Sequence, residues 1–232
     1  MRALPFLLLA GCATASGEAR TDDVPVVIEL FTSQGCSSCP PADELLAKIA
    51  HAGKVGNRTV APLSFHVDYW NDLGWADPFS LPAWTARQQA YARSLGDRSV
   101  YTPELVAGGA IGVVGNSPSA VHAAIAHAPA QQPIAATARW SPTQLTVEAT
   151  APAGADVWVA VWQDGTRTAV SRGENAGAEL VGDRVVRRLE RVARAGHDGT
   201  VTIPIGPWPA GGAVAFAQRP DQVIVGATLL PH

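Results

Sequence analysis

Apolar positions recur with two different periods along this chain, and the switches between them mark out its elements. Residues 26–31 are apolar except for Glu29, are β-branched at the start and stop at a polar turn; such a run predicts a central strand of a covered sheet. From Pro40 the spacing changes to three and four, through Leu45, Leu46, Ile49 and Ala50, which predicts an amphipathic helix. Prolines at its first positions cost nothing, since those N–H groups have no intrahelical partner, and Asp43 and Glu44 complement its positive end. A turn-rich stretch at 53–57 precedes a second strand over 60–70, whose end carries His66, Asp68, Tyr69 and Trp70. A loop over 71–80 leads into a helix over 82–95, closed by Gly96. Apolar runs at 104–107 and 110–114 flank Gly108-Gly109 as a hairpin, and Ser117-Pro118 opens a helix to about 128.

The texture changes from Pro133. Runs at 134–140, 144–149, 157–162, 200–205, 213–217 and 223–229 are short, rich in Val, Thr and Trp, and separated by turn residues, the pattern of antiparallel strands. Between them, 183–195 puts Val185, Leu189 and Val192 on one side and five arginines on the other if helical, with an edge strand as the alternative. The charged segment Arg172-Gly173-Glu174-Asn175 reads either as a solvated loop or as one that reaches the functional edge of the first half.

Composition narrows the class. With 47% hydrophobic and 16% charged residues over 232 positions, the chain is globular, with room for one large or two modest cores. A net charge of −3 excludes general affinity for nucleic acid or an anionic membrane surface on charge alone. At the N-terminus, Met1-Arg2 precedes an apolar run too short to span a bilayer, then Leu9-Ala10-Gly11-Cys12. This resembles a bacterial lipoprotein signal: residues 1–11 are removed, Cys12 carries lipid, 12–23 form a tether, and the protein sits on the periplasmic side of the cell envelope. The alternative is ordinary signal cleavage without a lipid anchor. In either case the protein leaves the cytoplasm, for a compartment where disulfides persist.

Only Cys36 and Cys39 then remain, two residues apart at the junction of the first strand and first helix. The helix dipole and its open N–H groups favour a thiolate at Cys36, the outer residue, while Cys39, one turn on and less exposed, closes the ring. That is thiol–disulfide exchange chemistry, with protein thiols or disulfides as partners and no cofactor or metal. Three other uses of the pair stand beside it: a structural disulfide, a zinc half-site lacking its second ligand pair, and a copper site formed with His66.

The order strand, helix, strand, helix, strand, strand, helix resembles the thioredoxin fold over 24–128. The resemblance implies an α/β thioredoxin-like domain over 24–130, a mixed sheet with flanking helices; the strand pattern that follows adds a mainly antiparallel β domain over 131–232. It also implies that Pro103, preceded by Thr102, has a cis peptide bond and lies against the disulfide. Glu29 stands near the place of the buried carboxylate that thioredoxins keep, and is a candidate proton acceptor for Cys39. Residues 29–41, 65–70 and 171–177 further resemble a bacterial exported, thioredoxin-like family labelled a domain of unknown function. Ser37-Ser38 between the cysteines departs from better-known relatives, so the direction of electron flow is not implied. The aromatic loop from Trp70 through Trp75 to Trp84 is expected to line a substrate groove beside Cys36 or to fill a local core. A non-catalytic binding module on the same fold is the remaining alternative.

Overall fold

A computed structural model describes residues 24–206, 208–209 and 211–232. The expected signal segment, the tether and Cys12 lie outside these residues.

The first strand, β1 (Val26–Thr32), is buried along its whole length. Its side chains alternate between two layers, as a pleated strand requires. Val27 and Phe31 enter one with Phe65, Trp84 and Tyr91; Val26, Ile28 and Leu30 enter the other with Leu46, Ile49, Val121 and Ile125. Helix α1 (Pro40–Ala52) starts at two prolines and ends at Gly53, whose φ of 67° suits glycine and whose N–H bonds Ile49 O. After the two-residue β2 (Lys54–Val55), β3 (Arg58–His66) returns parallel to β1, with Val26 opposite Val60 and Thr32 opposite His66. The second strand thus ends at His66, and Asn71–Leu73 forms a 3-10 turn. Helix α2 (Pro82–Leu95), the hairpin β4 (Glu104–Ala107) and β5 (Ile111–Val114), and α3 (Pro118–His127) follow as expected from the sequence.

The later strands are β6 (Ala136–Trp140), β7 (Gln144–Thr150), β8 (Asp156–Gln163), β9 (Thr166–Ala169), β10 (Glu179–Gly182), β11 (Val185–Ala193), β12 (Asp198–Pro204), β13 (Gly212–Gln218) and β14 (Ile224–Leu230). Four of them extend the first half's sheet. The mixed sheet runs β14-β13-β8-β11-β3-β1-β4-β5, with β2 off that path on β3. A three-stranded antiparallel sheet, β12-β7-β6, and a β9–β10 ribbon complete it; among the described residues there is no closed barrel. The texture change near residue 131 is therefore not a break in hydrogen bonding.

The join between the halves is narrow, and the sequence shows why. Ser64 is the residue of β3 paired with β11, opposite Val185, and its N–H bonds Arg184 O. Two residues earlier, on the same side of the strand, Pro62 has no N–H to give. Two residues later His66 O accepts from Leu81 N.

The helix expected over 183–195 is corrected to a strand inside the sheet, so the edge-strand alternative also fails. Irregularities between Val186 and Arg188 and between Arg191 and Ala193 break the two-residue alternation. Each bulge shifts the side-chain pattern by one position, and Val185, Leu189 and Val192 come to mimic helical spacing. Of the arginines, half-buried Arg187 lies over the rings of Phe79 and Trp208, and exposed Arg191 over Trp158.

Candidate functional site

β1 ends in a polar run that is nevertheless buried: Thr32, Ser33 and Gln34 are all enclosed. The chain then turns tightly, Cys36 N bonding Ser33 O and Cys39 N bonding Cys36 O. Gly35 permits the turn to pack closely, since an added Cβ would sit 3.1 Å from Trp70 Cβ. Cys36 and Cys39 form a disulfide, with Cα atoms 5.5 Å apart. Across from it, Thr102-Pro103 is a cis peptide, Pro103 is buried, and Thr102 O lies 4.0 Å from Cys36 Sγ.

Two expectations about the cysteines need correction. Cys36 is not the outer residue: both cysteines are 0% exposed, and Ser37 and Ser38 are what solvent meets. The helix N–H groups are not open either. Pro40 and Pro41 have none, and Ala42 N and Asp43 N both bond Cys39 O. What stands beside the Cys36 sulfur is Ser38 Oγ, 3.3 Å away, at the N-terminal end of α1.

Glu29 is placed away from the sulfurs. It shares a strand face with Val27 and Phe31, hence faces α2, where Arg87 and Tyr91 engage both carboxylate oxygens. A different acid, read from sequence only as a complement to the helix dipole, sits at the site. Asp43 follows Cys39 by four residues, on the same helix face. It accepts a hydrogen bond from Thr32 Oγ1 at 3.1 Å. Burial pushes its carboxyl up to about 7, against the opposing pull of His66 and the Thr32 hydroxyl.

His66 and Asp77 form a buried pair beside it, Nδ1 to Oδ2 at 2.7 Å. Burial opposes charge on the imidazole, but Asp77, its hydrogen bond and Asp43 prevail over burial and Arg187, and hold His66 above its ordinary value. Asp77 ends below the usual carboxylate range: burial raises it, and the His66 charge with hydrogen bonds from His66, Gln34 N and Phe79 N outweighs that. Copper ligation by Cys36, Cys39 and His66 finds no support: the sulfurs are bonded to each other and His66 Nδ1 is taken. Among the described residues no group of three or more His, Cys, Asp or Glu has metal-holding geometry.

These shifts fix a pH dependence. Asp43 and His66, both raised in the folded state, stabilise it most at low pH and lose that contribution as pH rises through their folded values; Asp77, lowered, loses its contribution only as pH falls below the carboxylate range. Stability should therefore decline from about pH 5 to pH 8. In urea unfolding, Asp43→Asn should flatten part of that decline and gain on the order of 2 kcal/mol on wild type between those limits. A wild-type midpoint that rises over this range would contradict the assignment.

The aromatic loop divides between the two roles expected of it. Trp84 is core, edge-on to Phe65 at 5.1 Å. Trp70 and Trp75 stand at the site: Trp70 Nε1 donates to Thr102 Oγ1 at 2.8 Å, and Trp75 Nε1 to Gln34 Oε1 at 3.3 Å.

The loop between β9 and β10 reaches the same place. Asn175 Nδ2 donates to Gln34 O and Cys36 O at 2.9 and 3.0 Å, and Glu174 Oε2 accepts from Ser37 N at 2.9 Å. A polar segment without periodicity carried one usable signal, its charged and amide side chains between turn glycines. Of the two readings open for this loop, the one that reaches the functional edge holds, and the solvated one does not.

The profile of the family described as protein of unknown function, DUF1223, matches residues 27–218. The crystal structure of an Agrobacterium tumefaciens protein, a structural genomics target, is 31% identical, aligns over 89% of this chain and 94% of that chain, and superposes with a TM-score of 0.68. No curated protein matches the chain. With a family match across the Cys36–Cys39 junction, the cis-proline hairpin and the docking loop alike, this chain belongs to the DUF1223 family.

Proposed function

We propose that the protein is a thioredoxin-like thiol–disulfide oxidoreductase acting on protein cysteines outside the cytoplasm. The observation that carries this reading is the Cys36–Cys39 disulfide at a strand-to-helix junction with Thr102-Pro103 beside it. In the reducing direction, the Cys36 thiolate attacks one sulfur of a partner disulfide. A mixed disulfide forms and the partner's other sulfur leaves as thiolate, taking a proton. The Cys39 thiolate then attacks Cys36 Sγ, the second partner thiol leaves, and two electrons have passed to the partner. Asp43 is the group we assign to accept the Cys39 proton, being one helical turn away with a carboxyl that titrates near neutrality. Trp70, Trp75 and Thr102 border the place where a partner binds.

Reduced protein mixed with a disulfide-bonded protein should open the partner's bonds, one for each Cys36–Cys39 disulfide formed, and Cys36→Ser should not. Absence of exchange by both the reduced and the oxidised forms would overturn the reading. Equilibration with glutathione buffers gives the direction, since about 30 mV separates tenfold differences for a two-electron couple.

The leader and Leu9-Ala10-Gly11-Cys12 support anchoring through lipid on Cys12. No helix among the described residues is long and apolar enough to cross a membrane. Cys12→Ser should release the protein from membranes into the soluble fraction, and continued membrane association would refute the anchor.

A further inference from the structure

The strap formed by residues 171–177 holds the redox loop without contributing anything to the core. All of its residues except Asn175 are exposed, and Asn175 is only half-buried. It is the tip of the β9–β10 ribbon, which belongs to neither larger sheet. Two-stranded ribbons are marginal by themselves. Its hold on the disulfide loop consists of the Asn175 bonds to Gln34 O and Cys36 O and the Glu174 bond from Ser37 N. Gln34 Nε2 adds a bond to Thr168 Oγ1 at the ribbon's base. Backbone presses on backbone nearby: a Cβ on Gly74 would lie 3.2 Å from Gly173 Cα, and one on Gly173 would lie 3.1 Å from Trp75 Cβ. The loop it holds carries a disulfide with no exposed surface.

We propose that residues 171–177 are a gate over the Cys36–Cys39 pair, displaced by an extended segment of a protein partner. This rests on the redox reading of that pair. Exchange requires an attacking sulfur to approach the disulfide in line, which a fully enclosed pair forbids. Three of the groups that Asn175 and Glu174 occupy are main-chain, the Gln34 and Cys36 carbonyls and the Ser37 N–H, and the Ser37 side chain bonds Glu174 beside them. An extended polypeptide offers N–H and C=O in the same strand and can take over all three, whereas a small thiol cannot. Asn175 and Glu174 thus stand in for a partner's backbone until one arrives.

The gate is tested by reducing the oxidised protein with dithiothreitol, whose two thiols become a cyclic disulfide as Cys36 and Cys39 become thiols, and counting alkylated cysteines over time. Asn175→Ala, which loses two hydrogen bonds to the loop, should be reduced on the order of tenfold faster than wild type, and the Glu174→Ala/Asn175→Ala pair faster still. Hydrogen exchange at Ser37 N–H should quicken in the same variants, while cooperative unfolding shows that the fold is intact. Against a cysteine-containing peptide the gain should be smaller than against dithiothreitol, because the peptide displaces the strap by itself. Folded variants reduced at the wild-type rate would overturn the gate, and an equal gain for both reductants would overturn the peptide as its displacer. Faster reduction in variants of a protein that exchanges with no protein substrate would leave the gate standing and sink only the oxidoreductase reading.

Discussion

Glu29→Ala should destabilise the folded protein by about 3–5 kcal/mol, the cost of leaving a buried charge without its partner. Arg87 is the charge left behind. Its Nε and Nη2 meet the two Glu29 oxygens at 2.5 and 2.8 Å, and its Nη1 reaches Gln218 Oε1 at 3.2 Å. Tyr91 OH donates to Glu29 at 2.6 Å and receives Gln218 Nε2 at 2.9 Å. The guanidinium is 5.3 to 5.6 Å from the ring centroids of Phe65, Tyr91 and Phe216, so its surroundings other than Glu29 are largely aromatic. The network ties β1, α2 and β13 together, so damage to it is felt in both halves of the sheet. Glu29→Leu combined with Arg87→Met removes both charges and should recover most of the loss, since an apolar pair of similar volume escapes desolvation. Denaturant unfolding of the three proteins decides it: a single-variant loss below about 1 kcal/mol would show that the pair is not the buried lock described here.

Cys39→Ser should convert the protein into a trap, with partner proteins accumulating as mixed disulfides on Cys36. The substitution removes the sulfur that resolves the intermediate and leaves the attacking one in place. Cys36→Ser should trap nothing. The geometry favours this order because Cys36 Sγ has Ser38 Oγ at 3.3 Å and Thr102 O at 4.0 Å, on the side of the cis proline, whereas Cys39 is the residue at which α1 begins. Non-reducing electrophoresis separates the outcomes. Trapping by the Cys36 variant would reverse the roles, and trapping by neither, with no exchange by wild type, would remove the oxidoreductase reading.

What could be read from the sequence was whatever depends on neighbours along the chain. The period switch at Pro40, the end of α2 before Gly96 and the Gly108-Gly109 hairpin are local, and each appeared within about a residue of its expected place. The Cys36–Cys39 pair was placed the same way, at the strand-to-helix junction where the structure has its disulfide, and the cis Thr102-Pro103 bond was implied by the thioredoxin resemblance. The misreadings are long-range. β11 looked helical because its bulges answer the demands of β8, a strand nobody can align to it from spacing alone. Glu29 and Asp43 are both acids near the cysteines in sequence; what separates them is which face of the sheet or helix each occupies, and Arg87 decides that from 58 residues away. The short strands β9 and β10 have too few apolar positions to show any period. Joining the halves through Ser64 and Val185 required knowing that the sheet's outer partner lies 121 positions further on, beyond the reach of any pattern.

The strap's separation from the loop it covers also sets an order of events during synthesis. Glu174 lies 137 residues beyond Ser37. A chain emerging from its N-terminus presents both cysteines long before the strap exists. Whatever thiol or disulfide the unfinished chain encounters meets the pair without the strap. Its redox state on first closing is therefore inherited from the newborn chain, and later changes to it have to pass the gate.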